Sequence, residues 1–170
     1  MNIAKPQLAD GEYYKPFVEL VKTEFLEAEL RQNLNEMSKF LADLSTEKWN
    51  YKYAEGKWTV GQVLMHILDV EHMFVHRAFW VERDMGAGLI SFDHDKMVEH
   101  SISSKCTPSR FMELYEAQRN YTIAFAKTLK MADWDKQGEI EGNSFDIRLL
   151  YYVICGHERH HMSVLNSLYL

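Results

Sequence analysis

Apolar residues recur at helical spacing in four long stretches of this chain, and no stretch shows convincing strand alternation. The first stretch predicts a helix from about Pro16 to about Leu44, with Phe17, Leu20 and Val21 leading into Leu30, Leu34, Met37 and Leu41, and it ends before Ser45 and Thr46. The second opens after Gly56-Lys57-Trp58, where Thr59 and Gln62 have the spacing of a capping box ahead of the apolar run Val63 to Ile67, and it should continue to about Arg83. The third starts near Thr107-Pro108, since proline suits a first helical position whose N–H has no intrahelical partner, and carries Phe111, Leu114, Tyr115 and Phe125 to about Met131. The fourth opens near Asn143 or Ser144 and runs almost to Leu170. An all-α, four-helix bundle follows.

Composition narrows the class. A chain of 170 residues, 46% hydrophobic and 26% charged, is long enough for one domain with a proper core, here expected to span residues 1–170. A formal charge of -6 and a pI near 5.7 leave no basic footprint, so nucleic acid is not an expected partner. No stretch approaches a membrane span, and Met1 to Phe17 carries no apolar core of signal-peptide length. Cys106 and Cys155 form no CxxC pair and suit a reducing compartment, where they read as small buried hydrophobes. A cytoplasmic protein is expected.

The chemistry concentrates in His157-Glu158-Arg159-His160-His161. At about 100° per residue, Leu150, Val153, Val164 and Leu168 fall within roughly 40° of His157, and His161 shares that stripe. Glu158 and Arg159 point away from it, and His160 sits at its edge. Two imidazoles buried one turn apart are costly unless both find partners, and one cation satisfies both. The pair alone leaves a metal site and hydrogen-bonded core histidines equally open.

A metal site needs a third ligand, and His66 is the best candidate, on a helical face with Val63, Ile67, Val70 and Phe74. His66 lies about seven residues past its cap and His161 roughly nine before the end of its helix, so antiparallel packing puts both about 10 to 13 Å from one end of the bundle. An up-down-up-down order would make those two helices parallel. The roughly two dozen residues between Arg83 and Thr107 can cross the bundle instead, and an up-down-down-up order follows.

Two motifs, Gly56-Lys57-Trp58-Thr59-Val60 leading into Val63-Leu64-x-His66-Ile67-x-Asp69-x-Glu71, and Gly156-His157-Glu158-x-x-His161, resemble those of the DinB/YfiT superfamily of metal-dependent enzymes. The resemblance covers nearly the whole chain. It implies an up-down-down-up bundle, commonly a homodimer, in which His66, His157 and His161 hold a divalent ion, nickel or zinc in the first instance. It also implies a metal-dependent S-transferase that adds a low-molecular-weight thiol to an electrophilic small molecule. The alternatives are a hydrolase using metal-bound hydroxide and a metal-free helical binding module.

Other readings of H-E-x-x-H fit poorly. Zincin proteases take a third ligand downstream, and the nine residues after His161 contain no His, Asp or Glu. Di-iron bundles need two inward Glu-x-x-His motifs, and only Glu158 to His161 has that spacing. Asp69, Glu71 and His160 are candidates to orient or supplement the ligands. His72 and His76 read as solvent-facing, and His94 and His100 as exposed parts of the crossover. Trp49, Trp80 and Trp134 read as packing anchors, with Trp58 the candidate for a substrate contact. No catalytic residue beyond the metal ligands is identified.

Overall fold

The computed structural model describes residues 1–169. In chain order the helices are α1 (Lys15–Glu19), α2 (Leu26–Ala42), α3 (Thr46–Trp49), α4 (Val60–Glu82), α5 (His94–Glu99), α6 (Pro108–Thr128) and α7 (Ile147–Val164). A hairpin of β1 (Gln137–Ile140) and β2 (Asn143–Asp146) precedes α7. The four long helices, α2, α4, α6 and α7, form the bundle. No helix among the described residues is long and apolar enough to cross a membrane.

The starts of α4 and α6 follow from local chemistry. Thr59 Oγ1 accepts from the Gln62 N–H at 3.1 Å while Gln62 Oε1 accepts from the Thr59 N–H at 2.9 Å, the reciprocal capping box its spacing predicts. Thr107 Oγ1 caps α6 through the Arg110 N–H, with Pro108 at the first helical position.

Side-chain pairs set the relative directions of the helices. Trp58 meets Tyr169 through a 2.9 Å hydrogen bond, while eight residues later His66 meets His157 and His161, so α4 and α7 run antiparallel. Glu71 binds Arg119, and further on Phe79 packs against Phe125, so α4 and α6 run parallel. Glu27 pairs with Lys127 and the Leu30 carbonyl accepts from Arg119, so α2 and α6 run antiparallel. These are the directions that an up-down-down-up order requires. The segment from Arg83 to Thr107 is correspondingly the long crossover, and it carries α5.

Arg119 ties all four helices together. It is fully buried, donates to Glu71 through Nε and Nη2 at 2.9 and 2.8 Å, to the Leu30 carbonyl at 2.7 Å, and to Glu158. Tyr115 and Asn33 complete the shell of Glu158. A charge buried this deeply persists because carboxylates surround it.

Three local departures from the apolar pattern have identifiable causes. The expected helix from Pro16 to Leu44 is broken, because the amino-terminal segment claims backbone groups at the break: the Ile3 N–H bonds the Glu24 carbonyl at 2.9 Å and Asn2 bridges Phe25. Asn143 and Ser144 belong to a strand rather than to the start of α7. Glu141 and Gly142, with φ of 51° and 80°, form a two-residue turn with both residues left-handed, which closes the hairpin. Asp146 then caps α7 through the Leu149 N–H at 2.6 Å. After Val164 the backbone widens into a π-helical turn, Leu165–Tyr169, which rotates the stripe: Leu165 and Tyr169 are buried, while Leu168, expected inward, is 52% exposed. Leu170 lies outside the described residues.

Candidate metal centre

His66 comes from the second turn of α4, and His157 and His161 from successive turns of α7, so the antiparallel pair of helices brings all three to one point. One nitrogen from each ring lies within 4.8 Å of those of the other two. His157 Nε2 is 3.1 Å from His66 Nε2 and 3.0 Å from His161 Nε2. His66 and His157 are only 6% and 7% exposed, and His161 is partly buried.

The rings are held from outside. Trp58, the last residue before the α4 cap, packs on His66 at 5.1 Å between centroids. Phe17 of α1 meets His157 edge-on at 5.4 Å, and that approach depends on Gly156. A Cβ at Gly156 would sit 1.8 Å from the Phe17 carbonyl oxygen, so no other residue lets α1 lie this close to α7.

Burial pushes all three imidazoles toward the neutral form. His66 is lowered to about 4, by desolvation first and then by repulsion from His94. His161 falls to about 3 and His157 well below the usual range, again by desolvation first and then by their neighbouring histidines. Neutral imidazole is the form that ligates a metal.

The donor geometry fits a cation. A neutral ring nitrogen either donates one hydrogen or offers one lone pair, so His157 Nε2 can hydrogen-bond at most one of the two nitrogens that approach it. Two imidazole nitrogens bound to one ion at roughly 2.0–2.1 Å stand about 3.0 to 3.4 Å apart, depending on the bond angle. The observed 3.0 and 3.1 Å separations match the short end of that range. These three side chains can hold a divalent ion.

The cluster lines a cavity of about 760 Å³ between α1, α4, α7, the crossover and the hairpin. A model of the DinB superfamily matches residues 29–165, a span that contains His66, His157 and His161. The chain belongs to the DinB superfamily. YfiT from Bacillus subtilis, described as a probable metal-dependent hydrolase with an unusual four-helix bundle topology, superposes with a TM-score of 0.71 at 18% identity, over 98% of this chain and 91% of that chain. At that identity the likeness establishes the fold. No curated protein matches.

Within this DinB-superfamily chain, two of the three candidates to support the ligands, Glu71 and Asp69, lie away from them. Glu71 lies five residues past His66, about 140° round the helix, and accepts from Arg119 and from Thr122 Oγ1 at 2.6 Å instead of from an imidazole. Asp69 is half-buried in a groove with His72, Leu114 and Gln118, away from the cluster, and burial raises its carboxyl. His160 is exposed at the cavity edge, its ring 5.1 Å from His161 and 5.5 Å from Phe17. Glu158 does leave the ligand face, but toward Arg119 in the core instead of toward solvent. His72 and His76 are exposed, and Trp49 and Trp134 are buried anchors. Cys106 and Cys155 are free and buried, and burial pushes the Cys155 thiol up to about 12.

His94, Arg77 and Phe17 also line the cavity; helical spacing from His66 puts Arg77 on that face, whereas His94 and Phe17 arrive through tertiary packing. His94 is exposed yet reaches over the centre, 5.3 Å from His66 between ring centroids. It arrives there because α5 folds back over α4, and no local pattern announces a contact between the crossover and the middle of a helix.

Proposed function

We propose that the chain is a metal-dependent enzyme acting on small molecules, with His66, His157 and His161 as ligands of one divalent ion, nickel or zinc, and with transfer of a low-molecular-weight thiol to an electrophile as its reaction. The observation that carries this reading is the convergence of three desolvated imidazoles at the wall of a cavity of about 760 Å³. That volume lies within the range of small-molecule sites, which are few in any protein. Three neutral nitrogen ligands leave coordination positions for a reactant, and a divalent ion there acts as a Lewis acid and lowers the pKa of a bound thiol or water.

The side chains around the cluster favour a nucleophile that needs no strong base. The only carboxylate within the H-E-x-x-H motif, Glu158, is engaged by Arg119, Tyr115 and Asn33. Among the described residues, the metal-competent group consists of histidines alone. A thiol is the more acidic of the two nucleophiles and attacks once deprotonated, so it asks least of the ion and of any neighbouring base. Trp58 and Phe17 pack on His66 and His157 and offer aromatic surface to a small-molecule electrophile.

A hydrolase is the second reading, favoured by the description of YfiT and by His94. Partial covering of its ring, and then the nearby Arg77, lower the His94 imidazole, which keeps it neutral at pH 7 and able to accept a proton above the cluster. Incubation of metal-loaded protein with several thiols and a chloro-nitrobenzene, beside a panel of esters and amides, separates the two. Metal-dependent thioether formation supports the transferase. Ester or amide cleavage with every thiol inert supports the hydrolase.

A further inference from the structure

Two arginines are buried in this fold, and they are treated differently. Arg119 has four hydrogen bonds and two carboxylates. Arg77, only 5% exposed, donates from Nη2 to the Ile90 carbonyl at 3.2 Å and lies beside the uncharged Tyr14 phenol, and its Nε is buried with no partner. No carboxylate among the described residues pairs with it. The two that line the same cavity are engaged elsewhere: Glu12 accepts from the Ala9 N–H and Glu141 from Ser91.

Arg77 lines the cavity that holds the histidine cluster. It lies eleven residues beyond His66 on α4, which returns it to nearly the same helix face roughly 16 Å along the axis. The rings of Phe74 and Phe92 flank its guanidinium at 5.3 and 4.9 Å, and Phe92 in turn stacks edge-on against His94 at 4.5 Å, beside His66. The cavity thus has imidazoles at one end, an aromatic and aliphatic middle, and an unmatched cation at the other. A buried charge with no carboxylate partner is expensive, and a guanidinium with an unpartnered N–H between two aromatic rings is suited to grip a carboxylate.

We propose that the cavity takes a carboxylate-bearing small molecule whose anionic group pairs with Arg77 while its reacting end lies at the three histidines. This rests on the cavity being the enzyme's substrate site, as in the function proposed above. Burial lowers the Arg77 guanidinium from its ordinary value, and the Tyr14 phenol beside it, itself kept neutral by burial, offsets only part of that, so an incoming carboxylate restores what desolvation removes. The carboxylate belongs either to the electrophile or to the thiol.

Binding of 4-phenylbutyrate against its amide, and of N-acetylcysteine against its amide, tests this by calorimetry on metal-loaded and on chelator-stripped protein. The stripped protein removes direct ligation of the ion by carboxylate or sulfur. At least one acid should bind on the order of tenfold or more tightly than its amide in both forms. The preference should vanish in Arg77→Met and survive in part in Arg77→Lys, with metal content unchanged. A preference in the first pair places the carboxylate on the electrophile, and one in the second on the thiol. Absence of any acid preference in the unmutated protein, by equal binding or by none, overturns the proposal, and needs no variant to fold. A preference that persists in a folded Arg77→Met overturns it too. If metal fails to bind but the Arg77-dependent preference remains in the stripped protein, the metal reading alone is lost.

Discussion

His66 and His157, 91 positions apart in the chain, place their Nε2 atoms 3.1 Å from each other. With His161 alongside, each imidazole is kept neutral by burial, and that has a consequence for pH. An unfolded chain protonates these rings near 6.5, whereas the folded protein does so only near 4 for His66 and near 3 for His161. The depressed folded values mean that acid favours the unfolded state, which binds the protons first. Stability of the metal-stripped protein should therefore be full above about pH 6.5 and fall steadily as pH drops toward 4. Urea midpoints across that range check it, and a flat profile would show that the rings are not desolvated as described.

Glu158 and Arg119 make the second test. In a zincin-type site the Glu of H-E-x-x-H is a base, and its loss abolishes turnover while leaving the fold intact. Here Glu158 is a buried partner of Arg119 and Tyr115. Glu158→Gln should lower stability by roughly 1–3 kcal/mol, the worth of a hydrogen bond to a charged group, and leave metal content at the unmutated level. Unchanged stability with activity abolished would restore the base role.

Gly156→Ala tests the packing around His157. The added methyl meets a backbone oxygen at 1.8 Å, so α1 must move and take Phe17 with it. The expected loss is about 2–3 kcal/mol or more in urea unfolding, together with weaker metal retention. A variant as stable as the parent would mean that α1 does not dock on α7 in solution.

Much of this arrangement was legible in the chain itself, and the gaps have physical causes. The Thr59 and Gln62 capping box, the Thr107-Pro108 start and the inward histidine stripe are local, short-range signals, and all appear as read. The crossover length pointed to antiparallel α4 and α7, because a shared site allowed nothing else. The break between Glu19 and Leu26 was hidden, since Phe17, Leu20 and Val21 keep helical spacing while the competing hydrogen bonds come from Ile3, far back in the chain. The Glu141-Gly142 hairpin had a turn signal that two four-residue strands made easy to miss. Glu71 reads locally as a candidate to orient an imidazole or as a salt-bridging carboxylate, and the partner that decides it, Arg119, lies 48 positions away on another helix.

Metal titration tests the centre itself. Chelator-stripped, tag-free protein titrated with nickel or zinc should bind close to one equivalent per chain, with a rise in melting temperature, because an ion that binds only the folded state stabilises it. His66→Ala, His157→Ala and His161→Ala should each remove that equivalent and that rise. Saturable binding that survives any of the three substitutions undiminished, or an unmutated protein that binds neither ion, would contradict a three-histidine metal centre.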